Sequence, residues 1–247
     1  MQHKTLYLTL LVIVLANVAF VYFFTNFTRY RKRFARSQKE KISAEITLLE
    51  TERRRIADEL NDKLSPLLTA IKLNTGNLEV QTKHDSALIE RVHLYLEEIS
   101  TSLRSLSNQL LPDTLQRYGL KPAITEFVEN AKIPETIKIQ VESETSLDIP
   151  KGKEIHIFRI LQNLVSIAIL FPGIIQMDIR LKQENGNLTI TALQQQDVVE
   201  KEEVGSIELQ LRLKSIENRC DILGATMVLE ERPGWDTRYF ITIPLRN

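Results

Sequence analysis

The residues best placed to do chemistry in this chain lie in ERRRIADELNDKLSPLL, residues 52–68 of 247. Glu59, Asn61, Asp62 and Lys63 fall close together there. On a helix they set two carboxylates, an amide and an ammonium around little more than one turn. Such a group suits recognition by charge and hydrogen bonds. It holds no nucleophile, because a carboxamide nitrogen gives its lone pair to the carbonyl. The other candidates are scattered. His84, His93 and His156 have no Cys or His at ligand spacing, and no Ser-His-Asp set can be drawn from them. Asn163 offers one amide oxygen but no cluster of oxygen ligands for Mg²⁺, and reads as a solvated or capping residue. Asp197 reads as a solvated loop residue, and Gly205 alone is a weak phosphate-loop signal. Cys220 is the single cysteine. It excludes an intrachain disulfide and a cysteine metal site, and reads as a small buried residue on a helix.

Several elements must position these groups. Lys and Arg balance Asp and Glu at 32 each, so nothing in the net charge suggests a nucleic-acid partner. Leu6 to Phe24 is uncharged over 19 residues, about 29 Å of helix, enough to span a bilayer. Seven Lys or Arg follow in 29–41, against Lys4 alone on the other side. The positive-inside rule then predicts a single-pass protein of the inner, cytoplasmic membrane with its C-terminal part in the cytoplasm. About five residues precede the span, which predicts no extracellular sensor domain.

From Ile42 to Leu78 the apolar residues Ile42, Ile46, Leu49, Ile56, Leu60, Leu64, Leu67, Ile71 and Leu78 step mostly by three, four or seven. That is a seam of coiled-coil type. Pro66 should kink it or loosen one turn. NTGNLEVQTKHDS reads as a turn region. A second helix is expected over Ala87–Leu111, carrying Leu88, Val92, Leu96, Ile99, Leu103, Leu106 and Leu110 and stopping at Pro112. Two antiparallel helices with narrow seams cannot bury them alone, so a homodimeric four-helix bundle is predicted. Beyond Pro112 the pattern predicts a helix over Leu120–Ala131, a strand at 137–143, a helix over Lys153–Phe171, two strands around the turn 184–187, a helix over Ser206–Leu223 capped by Gly224, and a final hairpin. This is an α+β sandwich with helices on one face of a mixed sheet.

ERRRIADELNDKLSPLL resembles the dimerisation and phosphotransfer helix of two-component sensor histidine kinases of the nitrate-sensor-like subgroup, whose form is Glu-Arg-x-Arg-Ile-Ala-x-Glu-Leu-His-Asp. LRSLSNQLLPDTLQRYGLKPAI is similar to the family's junction to its ATP-binding domain. FRILQNLVSIAIL stands where the family has its Asn-bearing helix, and LKSIENRCDILGATMVLEERPGWDTRYFITIPL resembles its C-terminal end. The resemblance implies an α+β fold with one transmembrane helix, an antiparallel two-helix hairpin and an α/β sandwich of the histidine kinase ATPase type. The expected divisions are a membrane anchor at 1–28, a basic juxtamembrane segment and hairpin at 29–112, and a degenerate ATPase-like sandwich at 113–247.

The same resemblance locates what is missing. Asn61 stands where the family has its acceptor His, with Glu59 and Asp62 kept beside it. Asn163 takes the position of a catalytic Glu, and Ser166-Ile167 that of paired Asn residues. Gln194 replaces the Asp that reads the adenine amino group, and Gln196 and Val198 replace the glycines after it. Gln210 and Arg212 replace the lid-side Gly-x-Gly, where their side chains would fill the space for phosphates. Asp236 replaces a late Gly. Pro66 stands where the family's phosphatase motif needs a polar amide. The expectation is a catalytically inactive, pseudokinase-like protein with no cofactor and no metal. It would act by dimerising, alone or with a histidine kinase, and by docking a kinase or response regulator around Glu59, Asn61, Asp62 and Lys63. Two alternatives stand beside it: a divergent active kinase using ATP and Mg²⁺ with an atypical acceptor, and a membrane-tethered structural dimer.

Overall fold

The computed structural model describes residues 2–78, 82–144, 147–170, 173–196, 207–231 and 236–246, without the side chains of 2–19, 35, 231 and 236. The chain forms two compact units, Met1–Glu45 and Ile46–Asn247. In the first, helix α1 (Gln2–Glu59) carries a ladder of stacked rings, Phe20 on Phe24 and Phe23 on Phe27, with the Arg31 guanidinium 5.9 Å from the Phe27 ring centre. Among the described residues no helix is long and apolar enough to cross a membrane. Most of the span expected at Leu6–Phe24 falls on residues whose side chains lie outside the description.

In the second unit α1 passes into a π-helical turn, Leu60–Leu64, and then α2 (Ser65–Gly76), which has Pro66 in its first turn. Proline lacks an N–H and its ring clashes with the carbonyl four residues back. The wider turn relieves that clash: the Ser65 N–H reaches back five residues to the Leu60 carbonyl, a π bulge rather than a sharp kink. Helix α3 (Lys83–Leu110) runs antiparallel to α2, tied to it by the Lys72–Glu97 ion pair and by Thr75 Oγ1 at 3.0 Å from His93 Nε2. It starts four residues before the expected Ala87. Thr82 caps it by accepting from the Asp85 N–H at 3.1 Å, so the end of the polar stretch is a capped helix start, not a turn.

After Pro112 come a short helix, α4 (Asp113–Tyr118), which the sequence pattern did not announce, and α5 (Leu120–Asn130). Gly119 joins them at φ +84°, a left-handed conformation that glycine adopts without strain. Strand β1 (Lys138–Ser143), helix α6 (Lys151–Leu170), strands β2 (Ile174–Glu184) and β3 (Asn187–Gln196), helix α7 (Ile207–Leu223) and strands β4 (Thr226–Glu231) and β5 (Asp236–Pro244) follow. The sheet order is β1-β2-β3-β5-β4. Only β1 and β2 run parallel. Asn185 and Gly186, both at positive φ, close the β2–β3 hairpin as its tight turn requires. One face of the sheet supplies Ile179, Leu188, Ile190, Ile241 and Ile243 to a core completed by Ile157, Leu161, Leu164 and Ile167 of α6 and Ile216 of α7. Gly224 ends α7 at φ +63°, the expected cap.

Candidate functional site

Asn61 lies inside the π turn, half-buried. Glu59 is exposed and pairs with Lys63 at 3.1 Å and Arg55 at 3.1 Å. Hydrogen bonding to Lys63 and the charges of Lys63 and Arg55 hold its carboxyl below the usual range. Asp62 is exposed and points to no partner among the described residues. The four residues therefore form one charged shoulder on the hairpin, and the carboxylate beside Asn61 is not engaged with it. Asn61 also lines a polar cavity of about 450 Å³ shared with Ser65, Arg104, Ser107, Asn108, Arg117 and Glu126. Arg117 is held by Asp113 at 3.4 Å, and Glu126 takes the Thr114 hydroxyl. No side chain there is a good nucleophile at neutral pH without a base in contact with it.

The positions of the nucleotide boxes come out as follows. Asn163 is half-buried, not solvated: its Nδ2 donates to the Arg159 carbonyl at 2.8 Å and lies 3.4 Å from Ser215 Oγ on α7. Ile167 is fully buried in the core. Gln194 is 2% exposed, in line with Leu188, Ile190 and Ala192 on the helix-facing side of β3, and its Nε2 has no hydrogen-bond partner among the described residues. Gln196 ends β3, opposite Ile174. Gln210 and Arg212 lie within α7. Gln210 is exposed, and Arg212 folds back on Glu208 at 2.7 Å. Both stand on the surface of the helix expected over Ser206–Leu223. Asp197, Val198 and Gly205 lie outside the described residues. Among the described residues no three His, Cys, Asp or Glu side chains form a group able to hold a metal ion. His84 is exposed in the first turn of α3.

One cluster was not anticipated. Glu50 of α1 is buried, with its carboxylate 2.8 Å from Arg219 Nη2, 3.6 Å from Arg159 Nε and 3.2 Å from Arg53 Nη1. Arg219 Nη1 stands 3.2 Å from His156 Nδ1. Arginine only donates, so this imidazole nitrogen accepts. Burial, then the Arg219 charge, push the His156 imidazole below its ordinary value. The available signal was a charged residue inside an apolar run, Arg159 between Phe158 and Ile160 and Arg219 beside Cys220. Burial pushes the Cys220 thiol up to about 11, so it stays protonated and unreactive at neutral pH.

The histidine kinase family model matches residues 52–115. Sensor histidine kinase LiaS of Bacillus subtilis is 24% identical over 203 residues, covering 81% of this chain and 56% of that protein. Sensor protein VraS of Staphylococcus aureus is 25% identical over 203 residues, covering 81% and 57%. The chain thus spans little more than half the length of the curated relatives it matches. Among solved structures, the histidine kinase domain of the Erythrobacter litoralis blue-light activated histidine kinase matches 79% of this chain and 96% of its own, with 14% identity and a TM-score of 0.44. Acinetobacter baumannii histidine kinase AdeS matches 76% and 98%, with 13% identity and a TM-score of 0.37.

Proposed function

We propose that the chain is a membrane-anchored member of the two-component sensor histidine kinases, the family whose model matches residues 52–115, and that it signals by binding and not by phosphoryl transfer. The observation that carries this reading is Asn61 at the position the acceptor would hold, half-buried in the π turn, with an exposed Asp62 beside it that makes no hydrogen bond to it among the described residues. An acceptor needs an imidazole lone pair and a carboxylate to orient it, and neither is in place. The residues at the nucleotide positions do not fit Mg-ATP either. Asn163 is tied to α6 and approaches α7, Ile167 is core, and the Gln194 amide group presents donors as well as an acceptor where a carboxylate belongs. The helix continues through Gln210 and Arg212, so its backbone N–H groups there are occupied rather than free for a phosphate.

What is retained is the apparatus for pairing and docking. Leu49, Leu67, Ile71, Leu88, Ile99 and Leu106 are all exposed on the hairpin, a stripe that suits a second copy or a histidine kinase of the same build. The shoulder of Glu59, Asn61, Asp62 and Lys63 offers both charge signs to a response regulator or kinase domain. The span at Leu6–Phe24 and the basic segment after it would hold these surfaces at the inner face of the cytoplasmic membrane.

The test uses the full chain in detergent. Calorimetry with Mg-ATP should show no micromolar binding, and labelled ATP should leave no phosphate on the protein. Either signal would establish the divergent active kinase instead. Asn61→His should still fail to label itself, yet accept phosphate from an active kinase with which it pairs. Binding of receiver-domain regulators should weaken roughly tenfold in Lys63→Glu, the loss of one charge pair with a partner. Regulators that bind neither protein would leave only the structural dimer.

A further inference from the structure

The polar cavity of about 450 Å³ takes its walls from the π turn and from helices α2 to α5. Its hydrogen bonds are unevenly divided. The two carboxylates are taken: Asp113 holds Arg117 at 3.4 Å, and Glu126 accepts from the Thr114 hydroxyl. The donors are mostly not. Arg104 makes no hydrogen bond or ion pair among the described residues. Glu97, two turns back on α3, feels its charge but is itself paired with Lys72. Asn108 Oδ1 accepts from the Asp113 N–H at 3.4 Å, which leaves the NH₂ of Asn108 as its free end. Asn61 makes no side-chain hydrogen bond among the described residues.

Ser107 is the most telling of these groups. It is 3% exposed and lines the cavity, yet its hydroxyl has no hydrogen-bond partner among the described residues. It does not fold back on the carbonyl one turn earlier, as a helical serine can. A buried hydroxyl is costly to leave unpaired, so its partner comes from outside the chain. Water could serve the hydroxyl, but it brings no charge to Arg104. The guanidinium offers a planar fork of N–H groups that matches a phosphate or carboxylate edge. The volume exceeds that of a bare ion and falls among small-molecule sites. The amides and hydroxyls of the lining suit a ligand whose remaining part is polar as well.

We propose that this cavity binds a small hydroxylated anion, with a phosphate or carboxylate head seated on Arg104 and Ser107. The site stands whether or not a regulator docks at the charged shoulder, to which neither residue belongs.

Calorimetry on the full chain in detergent tests it, at constant ionic strength set with chloride. The probes are glycerol 3-phosphate and glycerate, which share a hydroxylated body and differ in the head. At least one should bind with a millimolar or tighter Kd, and the tighter of the two identifies the head. Equal binding would support a site that reads charge alone. Arg104→Gln should weaken binding at least about tenfold, through loss of a charge-assisted pair. Ser107→Ala should weaken it roughly fivefold, the loss of one neutral hydrogen bond. Thermal melts without probe check that both variants are folded. No binding of either probe up to about 10 mM, weaker than any useful affinity, would overturn the site. So would unchanged binding in either variant, which would assign the anion to another surface such as the basic segment at 29–41. Glycerol binding as well as the two anions would overturn it too, since the head would then contribute nothing.

Discussion

His156 shows how a single buried residue sets a pH dependence. Its imidazole sits in α6 against Arg219, with the Glu50 carboxylate and the Arg159 guanidinium in the same cluster. Its pKa is lowered from an ordinary 6.5, so the unfolded chain takes up a proton before the folded one. Above about pH 6.5 both states are neutral and there is no penalty; as pH falls below it, folded stability declines until the folded imidazole also protonates. Thermal melts should give a lower Tm at about pH 5.5 than at about pH 7.5, and His156→Gln should shrink that difference. At this scale the sequence disclosed Asn61, because a motif surrounds it. It did not disclose Glu50, whose partner Arg219 lies 169 residues away. Periodicity reports which face of an element is apolar; it carries no information on which distant charges will meet.

At the scale of elements, the seam of α3 divides in two. Leu96 and Leu103 are each 8% exposed, whereas Leu88, Ile99 and Leu106 stay open to solvent. Leu96→Ala should cost about 2–4 kcal/mol of stability in a denaturant titration, the usual effect of emptying a buried leucine site. The apolar spacing made the long helices and the five described strands legible, since each repeats its apolar residues at its own period. Two elements escaped it. The start of α3 is set by Thr82 bonding its own backbone, within a stretch so polar that it reads as a turn. Helix α4 buries only Leu115, too little apolar repetition to register as a helix.

At the scale of the whole molecule, the exposed half of that seam is the surface on which the proposed dimer would pair. Leu106 is 54% exposed, so Leu106→Glu should leave the fold and its melting unchanged. It should raise the dimer dissociation constant at least about tenfold in sedimentation equilibrium, through like charges brought together across the interface. A variant that stayed dimeric would move the pairing surface elsewhere on the hairpin. Leu96→Ala and Leu106→Glu thus separate folding from assembly on one helix.

The π turn at Leu60–Leu64 has a consequence for length. An α-helix advances about 100° per residue, so removing one residue rotates everything beyond it and carries an apolar stripe off its face. A π turn already contains one residue more than an α turn needs. Deleting Lys63 together with Pro66→Ala, so that no proline ring meets the carbonyl four residues back, should let the turn close to ordinary α geometry, with Ile56 before it and Ile71 after it still in phase and the dimer intact. Deleting Thr69, in regular α-helix, should turn Ile71 away and dissociate the dimer; sedimentation of the two deletions side by side reads the difference. The hairpin can therefore change its residue count at one place without losing its facing.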